Sequence, residues 1–139
     1  MNKKNIYSKK KGFTLIELML VVSIILVLMG FLIPKFSSYE EKAKITKAVS
    51  TAKQIQTAAM ASYGDNEGTF NSTDVKSNVE SLTSAESVNV ENLLNDGQSI
   101  DVTYQSDGKD CKVTINAEQN SFTVNYGDET VYPKNITKK

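Results

Sequence analysis

Between positions 13 and 33 the chain is almost continuously apolar, and only Thr14, Glu17, Ser23 and Gly30 interrupt its large hydrophobic side chains. As a helix, these 21 residues rise about 31 Å, roughly the thickness of a bilayer's hydrocarbon core. Beyond Pro34 the pattern changes. Residues 35–63 contain no Gly or Pro and read as continued helix. Ala48, Ala52, Ile55, Ala59 and Ser62 or Tyr63 recur there at three- and four-residue steps, with Ile45 and Val49 alongside, which is an amphipathic stripe. Its small side chains suit it to cover a sheet, while Lys42, Lys44, Lys47 and Lys53 extend the polar side. Gly64-Asp65-Asn66-Glu67-Gly68 ends the helix.

Residues 64–97 form the connection between helix and sheet. A short helix is expected over residues 74–85, with Asp74 as N-cap and Val75, Val79 and Leu82 on one face. A further helical turn is expected over residues 90–94. The region 98–139 alternates instead. Ile100, Val102 and Tyr104, then Cys111, Val113 and Ile115, then Phe122, Val124 and Tyr126 sit at every second position. Ser106-Asp107-Gly108 and Glu118-Gln119-Asn120 separate these runs, so they read as an antiparallel meander. Val131-Tyr132 adds an edge that Pro133 ends. The fold class is therefore α+β: a long N-terminal helix, part membrane-spanning and part amphipathic, packed on a small C-terminal antiparallel sheet.

Charge sharpens the reading of the apolar run. Lys3, Lys4, Lys9, Lys10 and Lys11 precede it and no acid does, which places the N-terminus in the cytoplasm and the later residues outside. A secretory signal has a shorter apolar region of about 7–15 residues and small residues at its cleavage site; Ile33-Pro34-Lys35-Phe36 does not fit. A plain membrane anchor fits the length but leaves Glu17 unexplained. No Lys or Arg lies between Gly12 and Lys35 to pair with that carboxylate. A cut after Gly12 would create an α-amine at Phe13, one helical turn away, and a neighbouring chain's amine would serve equally.

The string Lys11-Gly12-Phe13-Thr14-Leu15-Ile16-Glu17 resembles the class III signal peptide of type IV pilins and related pseudopilins, and the hydrophobic helix and Pro34 continue the likeness through residues 9–36. The resemblance implies a leader at residues 1–12, removed by a membrane prepilin peptidase that cuts between Gly12 and Phe13 and N-methylates Phe13. It implies that Glu17 pairs with the Phe13 amine of an adjacent subunit during assembly. It also implies that the segment around Gly30 and Pro34 is a hinge that unwinds when subunits pack. Pro34 lacks the N–H that would bond the Gly30 carbonyl, and Gly30 is itself a poor helix former; a static kink fits the same residues. The partners implied are further copies of the chain in a helical filament, the peptidase, the pilus assembly machinery and the cytoplasmic membrane. The functions implied are those of a surface pilus: motility, adhesion and biofilm formation. The alternatives are a pseudopilin of a type II secretion or competence DNA-uptake system, a minor tip subunit, and an uncut anchor whose Glu17 pairs with another protein's helix.

Composition narrows the rest. The chain has 139 residues, no His, Arg or Trp, and one cysteine, Cys111. An intramolecular disulfide is thus excluded, in contrast to the cysteine pair of many Gram-negative pilins, and Cys111 on a patterned strand reads as a small buried hydrophobe. Without His there is no Ser-His-Asp or Cys-His arrangement, and no phosphate-binding loop or dinucleotide fingerprint is present, so neither enzyme nor cofactor is expected. Asp107 with Asp110, and Asp128 with Glu129, are hard-oxygen pairs without calcium-loop spacing. Residues 35–63 carry five Lys against two Glu, and residues 64–139 carry six Lys against thirteen acids. That acidic C-terminal region disfavours direct DNA binding. Asn71-Ser72-Thr73 and Asn135-Ile136-Thr137 match the N-glycosylation sequon, a pattern expected by chance in so Asn- and Thr-rich a chain.

Overall fold

The computed structural model of the chain describes residues 12–134. It comprises two compact units, Met1–Tyr39 and Glu40–Lys139. Helix α1 spans Leu15–Asp65 and supplies residues to both.

In the first unit the described residues are helical from Leu15 onward. The large apolar side chains at positions 13–33 are 46–89% exposed, so nothing within the unit covers them. The helix is long and apolar enough to cross a membrane. Gly30 and Pro34 lie inside it without interrupting it.

The second unit has a core. Ala48, Ala52, Ile55, Ala58, Ala59 and Ser62 of α1 are buried, as the three- and four-residue spacing predicts. Asn66 closes the helix: its backbone N–H and its side-chain amide both donate to the Ser62 carbonyl. Gly68 then donates to Tyr63 O from a positive φ of 82°, a conformation open to glycine without steric cost. Helix α2 (Ser72–Leu82) follows. Its N-cap is Asn71, whose side-chain oxygen accepts from Thr73 and Asp74 N–H, so Asp74 falls in the first turn and is not the cap expected from sequence. Val75 and Val79 are buried, whereas Leu82 at the end of their row is exposed.

Five antiparallel strands follow in simple meander order: β1 (Glu86–Leu94), β2 (Ser99–Ser106), β3 (Lys109–Asn116), β4 (Ser121–Tyr126) and β5 (Glu129–Tyr132). The helical turn expected over residues 90–94 is absent, because those residues belong to β1, and the sheet begins at Glu86 rather than after Gly97. The reason is local. The pairing of β1 with β2 shifts register between Glu86 and Asn89 and again between Glu91 and Leu93. Ser87 and Asn92, at φ of 52° and 29°, sit within those irregularities. The bulges break the period-two pattern that identifies β2, β3 and β4.

Three rows of the sheet face the core. Ile100, Ile115 and Phe122 are in register, as are Val102, Val113 and Val124, and Tyr104, Cys111 and Tyr126. These residues and the small side chains of α1 form one cluster. Tyr104 crosses it, and its hydroxyl donates to Ala48 O at 2.7 Å. Burial pushes the Tyr104 phenol and the Cys111 thiol above their ordinary pKa values. Cys111 is buried and takes the role of a small apolar residue.

The opposite face carries Asp101, Thr114 and Thr123 in one row and Thr103, Lys112 and Asn125 in the next; it is polar, though Asp101 itself is buried, with Lys112 Nζ 3.8 Å from its Oδ2. Around the rim, Lys47 donates to Asp107 Oδ1 at 2.9 Å, and Lys53 lies 5.5 Å from the ring centre of Tyr132.

Candidate assembly site

The residues singled out from sequence gather at the start of α1. Gly12, Phe13 and Thr14 precede the helix, which starts at Leu15. All three are exposed, and among the described residues no atom beyond the chain neighbours lies within 4 Å of where a Cβ on Gly12 would sit. The Gly12–Phe13 bond is therefore in non-helical chain beside a helix N-terminus, a conformation that a peptidase reaches without unwinding a turn. The lysines before Gly12 lie outside the described residues.

Thr14 is the residue whose part the sequence reading missed. Its Oγ1 accepts from the Glu17 backbone N–H at 3.3 Å, and its carbonyl accepts from Leu18 N–H at 3.1 Å. Thr14 is thus the N-cap and Glu17 the third helical residue, at the spacing of a capping box. The signal was present as Thr-x-x-Glu ahead of an apolar run, but the missing counter-charge of Glu17 drew attention first.

That geometry explains half of Glu17. A carboxylate in the first turn is favoured by the helix dipole, so the position is sound in an isolated helix. Among the described residues no cation pairs with it. The structure places Glu17 one turn from Phe13 and, among the described residues, leaves its charge without a partner. Ser23 differs: its hydroxyl donates to Met19 O at 2.7 Å, so its polar group is satisfied within the helix.

Elsewhere both members of the first candidate oxygen pair are engaged. Asp107 accepts from Lys47 and Asp110 from Gln105. Among the described residues no three His, Cys, Asp or Glu side chains gather as metal ligands would.

The family comparison falls on this same segment. The family model described as the prokaryotic N-terminal methylation motif matches residues 7–33. A fimbrial protein of Pseudomonas aeruginosa is 48% identical over 50 residues, covering 36% of this chain and 32% of that protein. Type IV major fimbrial protein FimA of Dichelobacter nodosus is 43% identical over 51 residues, 37% of this chain and 33% of its own length. A fimbrial protein of Neisseria meningitidis serogroup A is 35% identical over 74 residues, 53% of this chain and 43% of the relative. The chain thus spans about a third of the length of the first of these relatives. No solved structure matches it significantly. The family match covers the exposed apolar helix and its cap and ends before the sheet. In its N-terminal segment the chain is thus similar to the prokaryotic N-terminal methylation motif and to part of the type IV fimbrial proteins.

Proposed function

We propose that the chain is a structural, non-enzymatic subunit of a type IV pilus. One observation carries the reading: a methylation motif that runs into a capped, exposed apolar helix whose first-turn Glu17 pairs with no cation among the described residues. In this reading the precursor spans the cytoplasmic membrane once, N-terminus inside, with residues 40–139 outside as a head. Prepilin peptidase cuts between Gly12 and Phe13 and N-methylates Phe13. The processed subunits are then lifted by the assembly machinery into a helical filament at the cell surface. Their apolar helices replace lipid with one another, and the segment at Gly30 and Pro34 is where the helix yields. Glu17 sets register, because a carboxylate left unpaired in an apolar bundle is penalised and the Phe13 amine of an adjacent copy removes the penalty. The matched relatives are named as fimbrial proteins, which favours a pilus over a secretion or DNA-uptake piston.

Shearing cells and sequencing the N-terminal peptide by mass spectrometry tests this. N-methylated Phe13 in an abundant sheared fraction is the expected result. An intact leader across the whole population rejects it. Glu17→Ala, as the sole copy, should be processed yet reduce sheared filament by at least about tenfold; undiminished filament would remove Glu17 from the assembly step.

A further inference from the structure

Residues 35–39 continue α1 beyond its apolar stretch, within the same unit, and leave two large side chains exposed, Phe36 at 64% and Tyr39 at 65%. These two stand three residues apart, and Lys35 stands four before Tyr39, so the three share one side of the helix. At the other end of the stretch stands Glu17, the sole acid among the first 39 residues. Two placements of this helix fit a hydrocarbon core of about 30 Å. One spans residues 13–33. It sinks Glu17 about 6 Å inside the inner boundary and carries Phe36 and Tyr39 about 4.5 and 9 Å past the outer one, so that Tyr39 overshoots a headgroup layer of about 5–7 Å. The other runs from Glu17 to Phe36, a rise of about 28 Å. It sets the carboxylate at the inner boundary, Phe36 at the outer boundary and Tyr39 about 4.5 Å beyond it, the depth that suits an amphipathic ring. Lys35 then lies just inside, and its long stem lets the ammonium reach the headgroups.

We propose that Lys35, Phe36 and Tyr39 form a collar that binds the headgroup region of the outer leaflet and holds the unassembled chain in the second placement. The inference rests on the membrane-spanning reading. Its warrant is a spacing: the lone carboxylate and the first aromatic beyond the apolar stretch are one hydrocarbon thickness apart on a helix that Pro34 does not interrupt. The collar accounts for how Glu17 is tolerated before any second copy arrives, since a charge at the boundary keeps its water. It also leaves the Gly12–Phe13 bond outside the hydrocarbon on the opposite side.

The residue at the bilayer centre tests this. It is Ser23 in the first placement and falls between Leu26 and Val27 in the second. Met19→Cys, Ser23→Cys, Val27→Cys and Phe31→Cys, each in the full chain with Cys111→Ala, are spin-labelled in vesicles of phosphatidylcholine and phosphatidylglycerol. Collision with oxygen, set against collision with a water-soluble nickel chelate, gives the depth of each label. The label at position 27 is expected to lie deepest. A maximum at position 23 overturns the collar while leaving the span standing; full access of the chelate to all four labels means no span, and the collar falls with the membrane reading. Glu17→Gln then removes the other determinant of depth. The maximum should stay at position 27 in that variant and move to position 23, a shift of about 5 Å, once Phe36→Ser and Tyr39→Ser are added. A maximum that moves with Glu17→Gln alone, or that stays in place without the two rings, overturns the collar.

Discussion

Between positions 15 and 33, helix α1 presents Leu, Ile, Val, Met and Phe on every side, all of them exposed; between positions 48 and 62 the same helix buries four alanines, Ile55 and Ser62 along one stripe and turns Lys53 outward. An all-round apolar helix has no inside of its own and requires an apolar surrounding, whether lipid or other helices. A stripe of small residues needs one specific cover, and the sheet of the same chain supplies it. Tyr104, Ile100 and Ile115 fill the space the alanines leave. The comparison therefore separates side chains kept for other molecules from side chains spent on the fold.

The sharpest way to break that separation is to truncate one apolar residue on each side of it. Ile55→Ala removes a fully buried side chain and should destabilise the head by about 2–5 kcal/mol in a urea titration of the detergent-solubilised chain followed by tyrosine fluorescence. Leu20→Ala removes an exposed one and should leave the same transition unchanged within about 0.5 kcal/mol. Comparable losses from both would mean that the N-terminal residues support the head, and the division would fall.

A smaller effect is expected at the contact between stripe and sheet. Tyr104→Phe removes the hydroxyl that donates to Ala48 O and should cost about 1 kcal/mol. It should also change the alkaline limb of stability. The folded chain holds the Tyr104 proton more tightly than the unfolded chain, because burial raises the phenol's pKa. That contribution is complete below about pH 10, the ordinary tyrosine value, and is lost as the pH climbs from there through the raised folded value. The Cys111 thiol, raised by burial as well, adds a loss of the same sign that begins lower, above its ordinary value of about 8.5. Tyr104→Phe should flatten the part of the limb above pH 10 and leave the earlier part in place. An unaltered limb in that variant would show that the phenol stays protonated in neither state or in both.

These elements differed in how openly the sequence displayed them, and the differences have physical causes. The stripe of α1 and strands β2, β3 and β4 were legible because their hydrophobic period is unbroken and each strand pairs in uniform register. Strand β1 was not, since two bulges with Ser87 and Asn92 at positive φ put Val90, Leu93 and Leu94 at a spacing that mimics a helical turn. The cap of α2 was displaced by three residues because Asn71 and Asp74 are both good caps and only the fold decides between them. At the assembly site, Gly12, Phe13 and Glu17 stood out through charge and junction, whereas Thr14 was overlooked because a capping threonine inside an apolar run resembles a tolerated interruption. For Glu17 the sequence offers one counter-charge, a Phe13 amine made by cleavage, and one chain does not decide whose amine it is; among the described residues no cation pairs with it.

The weakest contact tests whether helix and sheet meet within the head through apolar packing or through charge. Lys47 bonds Asp107 in the turn between β2 and β3, and the pair raises the Lys47 pKa, chiefly through that hydrogen bond. Both side chains are open to solvent, and such pairs are screened and entropically costly to hold. Lys47→Ala should therefore lower the head's melting temperature only slightly, and the difference should vanish in about 1 M salt, where the screening length falls to about 3 Å. Asp107 also serves the turn, with φ of 51° beside Gly108 at 75°. Asn accepts that backbone as readily as Asp does, so Asp107→Asn isolates the charge and should match Lys47→Ala. If either variant unfolded the head as Ile55→Ala does, ionic pairing rather than the alanine stripe would be what joins helix to sheet, and the small residues of α1 would need another explanation.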